Sequence, residues 1–115
     1  MIDFACKRFE IDEIIRCSLG LTKSDLKIMD FLLKNSKKQF SSLNLSEKMS
    51  LDISTIQRSV KSLHEKNIIV RNQVNLAKGG YTYVYMIRDK EDIKKKLVGI
   101  LKGWFEKAEK EVRNL

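Results

Sequence analysis

Between Asp52 and Asn67 the run DISTIQRSVKSLHEKN interleaves two kinds of residue at a helical period. Ile53, Ile56, Val60 and Leu63 recur every three or four residues, which places them on one side of a 3.6-residue helix and predicts that this side is buried. Ser54, Thr55, Gln57, Arg58, Lys61 and Ser62 fall on the other side, with Glu65 as the only acid among them. Hydroxyls, an amide and cations donate hydrogen bonds to phosphates and base edges, so the chemistry of this face is contact with a polyanion. Asp52 is placed to cap the helix start. Asn67, which tolerates the left-handed backbone, is placed to end it before the apolar Ile68, Ile69 and Val70. An ordinary amphipathic helix with a solvated polar face has the same pattern, so the surrounding elements have to decide between the two.

Charge points the same way as the helix. The 115 residues carry a net +8, and the excess is localised: residues 54 to 80 hold Arg58, Lys61, Lys66, Arg71 and Lys78 against Glu65 alone, whereas residues 81 to 115 interleave both signs as on a solvated helix. A local basic face on one small domain suggests double-stranded nucleic acid ahead of an anionic membrane or an acidic protein. No apolar run approaches the roughly 18 to 20 residues that span a bilayer, and MIDFACKRFEID is too charged for a signal peptide. A soluble, cytoplasmic protein with no membrane partner is expected.

With His64 as the one histidine and Cys6 and Cys17 as the two cysteines, no metal-ligand spacing exists, and no cofactor is expected. No nucleophile has a base at a suggestive spacing and no glycine-rich phosphate loop occurs, so an enzyme is not expected either. On one continuous helix the two cysteines would sit about 16 Å apart, too far to bridge, and they read as buried thiols.

The elements that must position the polar face follow in order. Residues 3 to 18 fit an N-terminal helix, interrupted at Leu19, Gly20 and Leu21. A core helix opens at Thr22, capped by Thr22 or Ser24, with Leu26, Ile28, Met29, Phe31, Leu32 and Leu33 on its apolar face up to Asn35. After a polar turn, Phe40 stands alone. Leu43, Leu45 and Met49 then mark a short helix that starts at Ser41 and Ser42, and Ser50, Leu51 and Asp52 turn into the polar-faced helix. Helix, short helix, tight turn, helix is the helix-turn-helix order, whose second member lies in the DNA major groove. Two alternating runs follow, Ile68 to Leu76 and Tyr81 to Arg88, joined through Ala77 to Gly80, and they read as a β-hairpin. Such a hairpin either covers the core or serves as a wing whose tip, Asn75 to Gly80 with Lys78, reaches a minor groove or phosphates; Arg71 on its first strand joins the same set.

The last segment, Asp89 to Leu115, predicts a helix roughly 40 Å long. Its stripe of Ile93, Leu97, Ile100, Leu101, Trp104, Phe105, Ala108, Val112 and Leu115 exceeds what a small domain can cover. The excess predicts a homodimer, joined through Leu97, Ile100, Leu101, Trp104, Phe105, Ala108 and Val112; the alternative is a single helix that folds back on its own N-terminal helix. Gly99 and Gly103 repeat at four residues, a spacing that permits close helix approach. The fold class is therefore α+β and mainly helical: a winged helix-turn-helix over residues 1 to 88 with an N-terminal helical extension, and a C-terminal dimerisation helix over 89 to 115.

From about Leu21 onward these residues resemble a known family. MSLDISTIQRSVKSLHEKNIIVR is similar to the recognition-helix segment of MarR-type winged-helix regulators: Ser54 and Thr55, Ile56, Gln57, Arg58, Val60, Lys61 and Leu63 match, then Glu65, Lys66, Ile68, Ile69 and Arg71, with Asn67 in place of the usual glycine. GGYTYVYMIRDKEDIKKKL looks like the wing strand and linker-helix entry of the TrmB-like archaeal branch. The resemblance implies a dimeric, sequence-specific transcription regulator. TrmB-type sugar sensors carry a large effector domain with no counterpart among these residues, so no sugar ligand is implied and no small-molecule effector is assigned. Two other readings are a winged-helix interaction module of the transcription or replication machinery and an architectural DNA-binding protein without sequence specificity.

Overall fold

The computed structural model describes all residues from Met1 to Leu115, in two compact units. One comprises residues 1–21 together with 89–115, and the other residues 22–88. The N-terminal segment therefore groups with the C-terminal helix.

In the first unit the stretch read as one helix over residues 3 to 18 is instead a small hairpin, β1 (Ile2–Asp3) paired with β2 (Arg8–Phe9), followed by α1 (Ile11–Leu19). Local chemistry accounts for the difference. Arg8 Nε donates to Asp3 Oδ1 at 2.7 Å across the two strands, the Phe4 amide donates to the Lys7 carbonyl at 2.8 Å, and the Phe4 and Phe9 rings meet edge to face at 5.5 Å. Before Ile11 the apolar residues have no helical period, so a helix there would bury no continuous face. Gly20 ends α1 in the left-handed conformation at φ 67°. Cys6 in the hairpin turn and Cys17 on α1 are both exposed, free thiols, which corrects the expectation of buried cysteines on one continuous helix.

The second unit is built as the residue types require. α2 (Lys23–Lys34) is capped by Thr22, whose hydroxyl accepts from the Asp25 amide while the Asp25 carboxylate accepts from the Thr22 amide, both at 3.1 Å. β3 (Phe40–Ser41) is a two-residue strand, too short to show a period in sequence. Phe40 is buried there, edge-on to Phe31 at 5.1 Å. α3 (Ser42–Met49) repeats the capping box with Ser41 and Asn44. Ser50, in the left-handed conformation at φ 53°, makes the tight turn toward α4 (Ile53–Glu65). Asn67 at φ 59° closes α4, as its residue type predicts, and feeds β4 (Ile69–Asn75). β4 pairs antiparallel with β5 (Tyr81–Ile87), which pairs on its other side with β3 to give the order β3-β5-β4. Ile28, Met29, Leu32, Leu45, Ile56 and Leu63 form the core of this unit, all but fully buried. Helix-turn-helix plus hairpin makes an α+β winged helix.

α5 (Lys90–Arg113) completes the first unit and packs against α1. Asp89 caps it by accepting from the Glu91 amide at 3.0 Å. No helix is long and apolar enough to cross a membrane.

Candidate nucleic-acid interface

α4 is held on one side by α2 and α3, so its remaining side is fixed by subtraction. Ile56, Val60 and Leu63 point inward as their spacing requires, joined by Ser59, a buried residue that the apolar pattern did not include. Ile53, assigned to the same apolar side, is 38% exposed, because it is the first residue of the helix and no turn precedes it to cover it. Leu43 on α3 is likewise exposed.

The outward side carries the predicted polar set. Ser54, Gln57, Arg58 and Lys61 are exposed, and Thr55 and Ser62 are half-buried on its flanks. Arg58 Nη2 lies 3.5 Å from Thr55 Oγ1, and Lys66 Nζ donates to Ser62 Oγ at 3.1 Å. Lys7 pairs with Glu13, Arg8 with Asp3, Lys94 with Glu91 and Arg113 with Glu109. Arg58 and Lys61 thus face solvent with no carboxylate at ion-pair distance. His64 sits half-buried near the end of the helix.

At the start of α4 the geometry departs from simple capping. Asp52 occupies the N-cap position, yet its carboxylate accepts from the Ser54 hydroxyl rather than closing a capping bond to the first turn. That hydroxyl chiefly, aided by the nearby amides of Ser54 and Thr55 and the charge of Arg58, holds the Asp52 carboxyl below its ordinary value of 3.8.

The hairpin supplies the second part of the site. Asn75 pairs with Tyr81 at the end of the ladder, and the turn closes through the Leu76 amide on the Gly80 carbonyl at 3.0 Å and the Gly79 amide on the Leu76 carbonyl at 3.1 Å. Gly79 and Gly80 adopt φ 94° and 79°, values that favour glycine. Lys78 is exposed at this tip. Register sets Arg71, Gln73 and Asn75 opposite Tyr85, Tyr83 and Tyr81, so the tyrosines and the guanidinium share a face. The Arg71 guanidinium lies 4.3 Å from the Tyr83 ring centroid, and Tyr83 meets Tyr81 edge to face at 5.4 Å. Tyr81 and Tyr83 are the contributors that reading for cations and amides passed over; three tyrosines at period two beside an arginine-bearing strand were the available signal.

Of the residues expected at a dimer contact, Leu97, Ile100 and Ala108 are half-buried, whereas Leu101, Trp104, Phe105 and Val112 are exposed. Val98, which lies outside the single broad stripe that the spacing predicts, is exposed beside Leu101 and Phe105 in a shallow groove on α5. Nothing lies within 4 Å of a Cβ built at Gly99 or Gly103, so their repeat serves no close approach within the chain. No three His, Cys, Asp or Glu side chains come together as metal ligands.

The sequence pattern of the DnaD N-terminal domain matches residues 11–108. An uncharacterized protein of Methanocaldococcus jannaschii is 32% identical over 96% of this chain and 82% of its own length. A possible transcriptional regulator of Methanosarcina mazei Go1, of known structure, is 43% identical and superposes with a TM-score of 0.93 over 99% of this chain and 95% of its own. A mutant of S. aureus MepR bound to an oligodeoxyribonucleotide shares the fold at 14% identity, with a TM-score of 0.57 over 90% of this chain and 71% of its own.

Proposed function

The chain belongs to the DnaD N-terminal domain family, and we propose that it is a dimeric, sequence-specific DNA-binding regulator of transcription whose winged helix works in the manner of MarR- and TrmB-type proteins. One observation carries this reading: Gln57, Arg58 and Lys61 stand exposed on a helix whose opposite face is buried, with no carboxylate within ion-pair distance of either cation. A solvated amphipathic helix needs no such one-signed face. Two of the comparisons support it, the likeness to a possible transcriptional regulator at 43% identity and the use of the same fold by an oligonucleotide-bound protein.

In this reading α4 enters the major groove. Gln57 and Arg58 in its first turns meet base edges, since the N-terminal residues of a recognition helix reach deepest, and Ser54, Thr55, Lys61 and Ser62 bind the flanking phosphates. Lys78 and Arg71 on the hairpin reach the neighbouring minor groove or phosphates. A second copy, joined through the exposed apolar residues of α5, presents a second α4 to the next half-site, and linking the two makes the second binding step intramolecular.

Salt-titrated binding to random-sequence and genomic duplexes tests the proposal. Genomic fragments that bind well above the random pool, with a salt slope of several phosphate contacts, are the expected result. Equal affinity for both pools at every salt concentration would overturn sequence-specific regulation in favour of binding through charge alone.

A further inference from the structure

α5 presents two apolar stripes with different environments. Ile93, Leu97 and Ile100 lie at three- and four-residue spacing and are buried or half-buried. Val98, Leu101, Phe105, Ala108 and Val112 lie at alternating spacings of three and four, and all but the small Ala108 are exposed. A strict alternation of three and four is the seam of a two-stranded coiled coil, whose core positions repeat every seven residues.

Charge selects the direction. Along α5 and the residues after it, the half from Lys90 to Lys102 carries five cations against Glu91 and Asp92, whereas the half from Gly103 to Leu115 balances three cations with three acids. A parallel pair would set the two basic halves side by side. The groove around Val98, Leu101 and Phe105 is bordered by Lys102 toward the start of the helix and by Glu106 and Glu109 toward its end. Lys102 and Glu109 are seven residues apart on one edge of the seam, about 10 Å along the axis, too far to pair within one chain.

We propose that this seam docks on the same seam of a second copy in antiparallel register, with Leu101 packed against the partner's Val112 and Phe105 against the partner's Ala108. Each Lys102 then faces the partner's Glu109, and the twofold axis makes that contact twice. The basic halves point apart and the helix dipoles oppose, both favourable. This assignment rests on the dimer proposed above and specifies its geometry.

Sedimentation of the full chain tests it. The unaltered protein is expected to be dimeric at micromolar concentration. Lys102→Glu and Glu109→Lys, both at exposed positions, should each raise the dimer dissociation constant about tenfold, since each change creates two like-charge contacts, and the double exchange should return it to within about threefold. In a parallel pair Lys102 would meet no carboxylate across the seam, so a failure of the double exchange to restore what either single change loses overturns the antiparallel register. Cross-linking gives an independent reading. In a Cys6→Ser/Cys17→Ser background, a mixture of Phe105→Cys and Ala108→Cys chains should bridge faster than either variant alone; faster bridging of Ala108→Cys with itself overturns the register and leaves the dimer standing. A monomer at micromolar concentration overturns both the register and the dimer it rests on.

Discussion

α4 and α5 are both amphipathic helices, and they leave opposite surpluses outside. In α4 the apolar face beyond Ile53 of the first turn is covered within its own unit: Leu63 and Ile56 are 0% exposed, and what remains outward is mainly hydroxyl, amide and cation. In α5 only Ile93 is buried, and what remains outward is Trp104 at 60% exposure and Phe105 at 59%. A polar surplus with one sign of charge is suited to a polyanion, whereas an apolar surplus among charges of both signs is suited to another protein surface. In the proposed reading the difference assigns DNA contact to α4 and self-association to α5.

The contrast breaks most visibly under truncation. Leu63→Ala is expected to cost about 3 kcal/mol of unfolding free energy in a urea titration, because it opens a cavity in a closed core. Phe105→Ala should change the urea unfolding of the dilute monomer by no more than about 0.5 kcal/mol, the usual range for a surface site, while shifting sedimentation toward monomer. Equal losses of stability from the two would remove the distinction.

A second measurement divides the polar surplus itself. Arg58→Ala should cost about 1 to 3 kcal/mol on the preferred duplex and flatten discrimination between sequences, whereas Lys78→Ala should weaken every sequence alike and lower the salt slope by about one. If both lose affinity uniformly, α4 does not read bases. Tyr83→Ala should weaken DNA binding by about 0.5 to 1 kcal/mol, by releasing the Arg71 guanidinium from its ring, and Tyr83→Phe should retain the affinity, since the ring face and not the hydroxyl holds the cation. Fluorescence anisotropy of a labelled duplex would show both.

On α5, Gly99→Ala and Gly103→Ala should each raise the thermal stability of the chain, by up to about 1 kcal/mol, since alanine is the better helix former and open space meets the added methyl. The smallest expected effect is at Asp52. Its carboxyl is depressed in the fold, so the stability it adds is present above its ordinary value of 3.8 and is lost as pH falls through the lower folded value. Measured relative to the intrinsic exchange rates, protection of the Ser54 and Thr55 amides should fall as pH drops below 3.8 in the unaltered protein, a dependence that Asp52→Asn should lack.

Much of this was legible in the residues. The α4 face, the turn glycines of the wing and the left-handed Asn67 each follow from a local rule of spacing or backbone conformation. The N-terminal hairpin did not, because Asp3, Arg8, Phe4 and Phe9 act through cross-strand pairing, and a pattern scan that expects a continuing helix does not test for it. β3 escaped for a related reason, since a two-residue strand exists only where a partner strand, here β5, supplies its hydrogen bonds.

The sequence alone determined the order of elements and the chemistry of each face, since helix period, strand alternation and capping act over a few residues. Only the tertiary structure decided which apolar residues are satisfied. Leu63 and Phe105 are equally hydrophobic and equally well placed on their helices, and whether a side chain meets a core or solvent depends on what other segments are brought against it. The same holds for Arg71, whose place over the Tyr83 ring depends on the β4–β5 register.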